Sequence, residues 1–259
     1  MQSFDKRPIA SIILPTYNEK ENITRLIKAL YGLLNMPVEF LVVDDNSPDG
    51  TADEVKYLSS HLPNVRLLLR TKERGLTSAI QCGIDESRGE VVVWMDCDLS
   101  MPPETVPELV LQILVHHMDV AIGSRYVPKG SYELAQGEQI LSRVNKHLSR
   151  ILNWTAQKAS GVNFYDWTSG FIAIRATIIK SLRLHGDYGE YFINLMTNII
   201  AMDLEYVEVP YTFLPREYGK SKTTDYLSGY IRRGLRYLPA VLAIRRVIRT
   251  STKLQHLSD

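Results

Sequence analysis

Asp96 and Asp98 stand two residues apart, directly after the apolar run Val91–Met95. A chain leaving a buried strand there can bring both carboxylates to one point, because residues i and i+2 share a face. Hard divalent cations such as Mg²⁺ or Mn²⁺ take one or two such oxygen ligands and complete their shell with water and phosphate oxygens. A turn before Met101, Pro102 and Pro103 is the plain structural alternative. Two more apolar runs end in acids: the first in Pro15, Thr16, Tyr17, Asn18 and Glu19, the second in Asp44, Asp45, Asn46, Ser47, Pro48, Asp49 and Gly50. Carboxylates gathered at one rim repel unless something compensates, and a divalent cation is the simplest candidate. Asp44 and Asp45 either build the turn that the following Ser-Pro-Asp-Gly favours or receive ribose hydroxyls and a base edge. Tyr17 taken alone reads as ordinary packing, and beside Pro15 and Glu19 it is placed to stack on a nucleobase. Arg125, in Gly-Ser-Arg-Tyr, and Arg216 and Lys222, on either side of Gly219, are candidate phosphate ligands. His116 and His117 lack metal-ligand partners and read as structural.

The elements that must position these residues follow from hydrophobic periodicity. Ala10–Leu14, Phe40–Val43, Val65–Leu69, Val91–Met95 and Val120–Gly123 read as buried strands. Between them Glu21–Leu34, Thr51–Leu58, Leu76–Ser87 and Glu104–His116 carry helical spacing. Alternating strands and helices predict an α/β fold with a mostly parallel sheet, and such sheets bind ligands beyond the carboxyl ends of their strands. After Arg125 the rhythm changes to a helix over Ser142–Ala159, a strand over Phe171–Ile174, a helix over Tyr191–Met202 and a strand over Glu205–Pro210. The expected organisation is one domain over 1–225 with a basic C-terminal segment over 226–259.

The 259 residues are 45% hydrophobic, enough for a sizeable core. The formal charge of +1 is unevenly spread: from Asp225 onwards seven Lys or Arg face two Asp, a net +5. Two amphipathic stretches lie there. Leu227, Ile231, Leu235 and Leu238 oppose Arg232, Arg233 and Arg236; after Pro239, expected to break the pattern, Val241, Ile244, Val247 and Ile248 oppose Arg245, Arg246 and Arg249. Such segments suit an anionic membrane surface, and the alternative is a helix packed on the catalytic domain with solvated arginines. Cys82 and Cys97 form neither a disulfide framework nor a zinc pattern, and a reducing cytoplasmic setting is expected. No apolar stretch reaches the length of a membrane span, so peripheral attachment is expected, at the cytoplasmic face. A Rossmann dehydrogenase is disfavoured because no GxGxxG follows the first strand.

The ordered stretches PTYNE at 15–19, VDDNSPDGT at 43–51, MDCDLSMPPE at 95–104, GSRY at 123–126, DWTSGF at 166–171 and VPYTFLPREYGKSK at 209–222 resemble the dolichol-phosphate mannosyltransferase branch of the inverting family 2 glycosyltransferases. The resemblance implies a GT-A fold, a nucleotide-sugar donor (GDP-mannose), Mg²⁺ or Mn²⁺, and a polyprenyl-phosphate acceptor. It implies that Pro15, Tyr17, Glu19, Val43 and Asp45 hold the guanosine side and that Asp96, Cys97 and Asp98 hold metal and diphosphate. Arg125, Arg216 and Lys222 would grip phosphate, with Ser142 near that of the acceptor. Cys97 and Ser100 stand where the family favours Ala and Gln, and Glu133 and Glu138 where it favours basic residues. A membrane-protein partner would serve a chain without its own span; no nucleic-acid partner is expected. A phosphate acceptor with a second pKa near about 6 is largely dianionic at neutral pH, so no general base is required. Two other readings stay open: a UDP-sugar donor serving a polyprenyl phosphate or polysaccharide, and a non-catalytic nucleotide-sugar-binding subunit.

Overall fold

The computed structural model describes residues 7–133, 140–187, 189–216 and 237–250, and the side chains of all of these except 140–145. The expected alternation is realised as β1 (Ala10–Thr16), α1 (Lys20–Leu33), β2 (Val38–Asp44), α2 (Thr51–His61), β3 (Val65–Leu69), α3 (Leu76–Glu86), β4 (Val91–Trp94), a 3₁₀ turn (Pro103–Thr105), α4 (Val106–Leu114) and β5 (Val120–Ser124). The second half adds β6 (Ser131–Tyr132), α5 (Ile140–Ser160), β7 (Ile172–Arg175), α6 (Ala176–Ile179), α7 (Glu190–Ala201), β8 (Tyr206–Pro210) and β9 (Thr212–Phe213). Residues 237–250 form a further helix, α8.

The seven-stranded sheet has the order β3-β2-β1-β4-β7-β5-β8, and only β7 runs against its neighbours. The inner strands β1, β2, β4 and β5 are almost wholly buried because both faces are covered, while β3 at the edge is only partly so. Ile12, Leu14, Phe40, Val42, Val91 and Val93 point into one apolar layer with α1, α2 and α4. Their alternates Ile13, Leu41, Val43, Val92 and Trp94 point into a second layer with α3 and α7. Val43, expected at the guanosine, is fully buried in that second layer, so its side chain serves packing.

The C-terminal helix departs from expectation. Ala240, Val241 and Ile244 are buried in the second apolar layer, with Ile248 packed against it. Of the expected stripe, Val241 and Ile244 thus face the domain while Val247 stays exposed, since a domain surface removes apolar area from water as a membrane does. Leu238, Leu242, Arg245, Arg246 and Arg249 point outward instead. Pro239 does not end the helix: described residues on both sides are helical, and the fixed φ of proline suits that conformation. The stretch 226–236 lies outside the described residues.

Candidate active site at the carboxyl edge of the sheet

In the order β3-β2-β1-β4, the chain moves outward from β1 through β2 and β3 and then returns to the other side of β1 as β4. The crevice between the carboxyl ends of β1 and β4 is thus the switch point at which such sheets open a ligand site. Pro15 to Glu19 and Asp96 to Asp98 flank it. Cys97 is buried and its Sγ donates to the Pro15 carbonyl at 3.5 Å, tying the two strand ends together.

Asp98 is buried and surrounded by donors. The Ser100 N–H and hydroxyl donate to Oδ1 at 3.0 and 2.5 Å, and Arg216 Nε lies 2.7 Å from Oδ2. The Leu214 N–H donates to the Ser100 carbonyl at 2.9 Å, which holds the segment after β9 that carries Arg216 beside the Asp98 turn. Asp96 is half-buried at the same strand end, with its N–H directed at Met101 Sδ.

The neighbouring carboxylates are met one by one by the protein's own donors. Asp44 accepts from the Thr16 hydroxyl at 3.0 Å and from the Ser47 N–H and hydroxyl, which closes the turn after β2. Asp45 accepts from Arg70 Nε at 2.7 Å and from the Gly75 N–H at 2.8 Å, so this candidate donor ligand also anchors the loop between β3 and α3. Glu19 is buried and accepts from Asn22 Nδ2 at 2.9 Å. Burial alone would raise the Asp49 carboxyl, but hydrogen bonds from the Thr51 hydroxyl and the Thr51 and Lys20 N–H groups hold it below the ordinary value. The compensation expected from one cation is therefore distributed over Arg70, Arg216 and local turns. Tyr17 is half-buried with Arg74 over its ring, 5.3 Å from the centroid, and Pro15 is half-buried beside it.

Arg125 does not reach out for phosphate. Its Nε and Nη2 form a bidentate pair with Asp166 at 2.9 and 2.7 Å, and Nη2 also donates to the Thr168 carbonyl at 2.9 Å. Burial would lower the guanidinium pKa, but the Asp166 carboxylate more than offsets this and raises it. Glu208 underpins the pair by accepting from the Tyr165 and Asp166 N–H groups, while burial raises its own pKa. Asp166, Glu208 and Arg70 escaped the sequence reading. Asp166 stood inside a recognised motif without a role, and Arg70 directly follows the third strand, the position that drew attention to Arg125. Lys222 and Gly219 lie outside the described residues, as does the side chain of Ser142, whose backbone is in the first turn of α5.

Among the described residues no three His, Cys, Asp or Glu side chains converge to hold a metal unaided. The donor set still fits a Mg²⁺ or Mn²⁺ ion shared with a phosphate ligand, which needs only one or two carboxylates. Asp98 Oδ2 already faces a cation, the Arg216 guanidinium, and Asp96 stands beside it at the rim.

Comparison with known proteins agrees with this architecture. The model of the family "Glycosyl transferase family 2" matches residues 11–182. The chain is 35% identical over 221 residues to the dolichol-phosphate mannosyltransferase of Pyrococcus furiosus, covering 82% of this chain but only 58% of that one. It is 33% identical to the dolichol-phosphate mannosyltransferase of Saccharomyces cerevisiae, over 82% of this chain and 80% of the relative. It is 36% identical to the polyprenol monophosphomannose synthase of Mycolicibacterium smegmatis, over 82% and 79%. The fold is similar to that of glucosyl-3-phosphoglycerate synthase from Mycobacterium tuberculosis, solved with Mn²⁺ and uridine diphosphate, with a TM-score of 0.67, 20% identity and coverage of 92% of this chain and 80% of that one. An α/β sheet with its switch point at an Asp-Cys-Asp turn, matched by the family model over residues 11–182 of the 259, makes this chain a member of glycosyl transferase family 2.

Proposed function

We propose that this chain transfers mannose from GDP-mannose to the phosphate of a polyprenyl (dolichol-type) lipid, with inversion at the sugar carbon. The observation that carries the reading is the pairing of Asp98 with Arg216 at 2.7 Å beside Asp96, at the switch point between β1 and β4. The names of the relatives, all prenol-phosphate mannosyltransferases or synthases, supply the sugar and the acceptor class.

Asp96 and Asp98 would hold a Mg²⁺ or Mn²⁺ ion, whose positive charge stabilises the departing nucleotide diphosphate. Arg216, already at this carboxylate, adds a second positive charge where the leaving group gains negative charge, and Lys222 is assigned the same task. Tyr17, Pro15 and Glu19 line the nucleoside side, with Asp45 and Arg70 setting the loop opposite. The acceptor phosphate is a dianion at neutral pH and attacks without a general base. Arg125 acts by holding Asp166 and Thr168 in place, not by gripping phosphate, and Ser142 remains the residue assigned to the acceptor phosphate.

A lipid acceptor requires the enzyme to work at a membrane surface as a peripheral protein, on the cytoplasmic face where nucleotide sugars are made, and a membrane-protein partner is compatible with this. No helix among the described residues is long and apolar enough to cross a membrane. Calorimetric titration tests the donor assignment: with Mg²⁺ or Mn²⁺ present, GDP-mannose binds at least about tenfold more tightly than UDP-glucose, a difference of about 1.4 kcal/mol. Equal or reversed affinities would favour the UDP-sugar reading, and no binding of either would favour neither donor.

A further inference from the structure

Tyr17 and Arg74 meet across the end of β2. Tyr17 follows β1, Arg74 lies in the loop between β3 and α3, and in the order β3-β2-β1 only β2 separates those two strands. Adjacent strands are about 4.8 Å apart, so a contact between the two loops has to bridge about 10 Å above the strand end that carries Asp45. Arg74 makes that reach, with its Cζ over the Tyr17 ring, 5.3 Å from the centroid. The two side chains form an arch over the rim of the site.

The feet of the arch are fixed and its tip is free. The Gly75 N–H donates to Asp45 Oδ2 at 2.8 Å, and the Gly75 carbonyl accepts from Arg70 Nη2 at 3.0 Å. Gly75 has φ +141°, a conformation that L side chains rarely adopt, so the loop turns at the residue directly after Arg74. On the other side the Asn18 N–H donates to the Ser47 hydroxyl at 2.9 Å, which holds the residue after Tyr17 against the β2 turn. Tyr17 itself is half-buried, whereas Arg74 is exposed. An exposed cation resting on an aromatic face is favoured by a factor of only about two to five, so a planar ligand can take its place on the ring.

We propose that Arg74 is a base clamp: the donor nucleobase enters between the Tyr17 ring and the Arg74 guanidinium, and the clamp favours a purine over a pyrimidine. The inference rests on the nucleotide-sugar donor of the preceding section and adds a residue that sets which base is held. Two layers at about 3.5–4.0 Å each need about 7–8 Å between ring and guanidinium, so the Arg74 tip moves outward by about 2–3 Å. A long, exposed side chain makes such a move by changing rotamers. The planar guanidinium then stacks on the outer face of the base, as a compact ammonium does not. A purine, with two rings, covers more of both planes than a pyrimidine with one.

Calorimetric titration of the full-length protein with GDP and with UDP, both with Mn²⁺ present, tests the clamp in wild type, Arg74→Ala and Arg74→Lys. Arg74→Ala is expected to weaken GDP about tenfold and UDP about threefold or less, since stacking on one base is worth roughly the larger factor. Arg74→Lys keeps the charge and loses the plane, so it should leave most of the GDP loss in place. Arg74 is exposed, and neither variant removes buried packing. Equal losses for the two nucleotides, or full recovery with Lys, would make Arg74 a charge for the diphosphate and overturn the clamp; unchanged GDP binding by Arg74→Ala would overturn it outright. Failure of the donor reading looks different. A wild type that binds UDP at least as tightly as GDP contradicts a GDP-mannose donor, and the clamp then stands or falls on which nucleotide Arg74→Ala weakens more.

Discussion

At the scale of single residues, the position of a charge along the chain and its role in the fold are different things. Arg125 and Arg216 both follow strand ends on one rim, yet Arg125 is committed to Asp166, 41 residues further on, while Arg216 meets the Asp98 carboxylate. Breaking a buried ion pair leaves an uncompensated charge and costs about 3–5 kcal/mol. Asp166→Asn is therefore expected to lower unfolding free energy by about that amount in urea titrations; a loss below about 1 kcal/mol would mean that Arg125 does not depend on this partner. Asp98→Asn should lower turnover by about a hundredfold or more, as loss of transition-state charge stabilisation does. Wild-type turnover by that variant would remove Asp98 from the chemistry. Glu208 gives a signed pH effect. Burial raises its folded pKa above the ordinary 4.5, so its contribution to stability is complete below that value and is lost as pH rises through the raised one. Replacing it by Gln should flatten the fall in melting temperature between about pH 4.5 and neutrality, and an unaltered profile would assign that fall to other groups.

At the scale of elements, close contact between α3 and β1 sets how a substitution in a helix behaves. Gly83 is in α3, and a Cβ there would lie 2.4 Å from Cγ2 of Ile13, which is fully buried in β1. Glycine to alanine inside a helix normally stabilises by about 0.8–1 kcal/mol through propensity. Here overpacking, typically about 1–3 kcal/mol, opposes that gain, so Gly83→Ala is expected to destabilise on balance. A rise in melting temperature would show that α3 can move away from the sheet. The main elements were legible in sequence because continuous apolar runs mark doubly covered strands and helical spacing marks the layers over them. Each expected strand, from Ala10–Leu14 to Glu205–Pro210, is present. The antiparallel direction of β7 was not legible, since Ile172–Arg175 reads the same in either direction and its pairing with β4 and β5 is decided by the long return through α5. The two-residue strands β6 and β9 are too short to carry periodicity. The orientation of α8 was left open between two surfaces because an apolar stripe opposed by arginines fits a domain as well as a lipid layer, and Val241 and Ile244 pack on the domain.

At the scale of the whole molecule, the chain places a divalent-cation-compatible carboxylate pair at the switch point of its sheet, and a contact between Tyr17 and Arg74 on the same rim. The neighbourhood of Asp96, Asp98 and Arg216 was legible as candidates, the acids from their place after the fourth apolar run and Arg216 from the basic loop Arg-Glu-Tyr-Gly-Lys-Ser-Lys. The site was not legible where distant partners decide a residue's role, as with Asp45 and Arg70 or Arg125 and Asp166. The proposed sugar transfer from a nucleotide-sugar donor to a lipid phosphate rests on these features together. The most direct test is incubation of the purified full-length chain with mannose-labelled GDP-mannose, Mg²⁺ or Mn²⁺ and a polyprenyl phosphate in vesicles, followed by organic extraction of the lipid. The account predicts labelled mannosyl-phospholipid that depends on added metal, disappears with chelator and is absent with Asp98→Asn; no extractable label from GDP-mannose, or label formed undiminished in chelator, would contradict it.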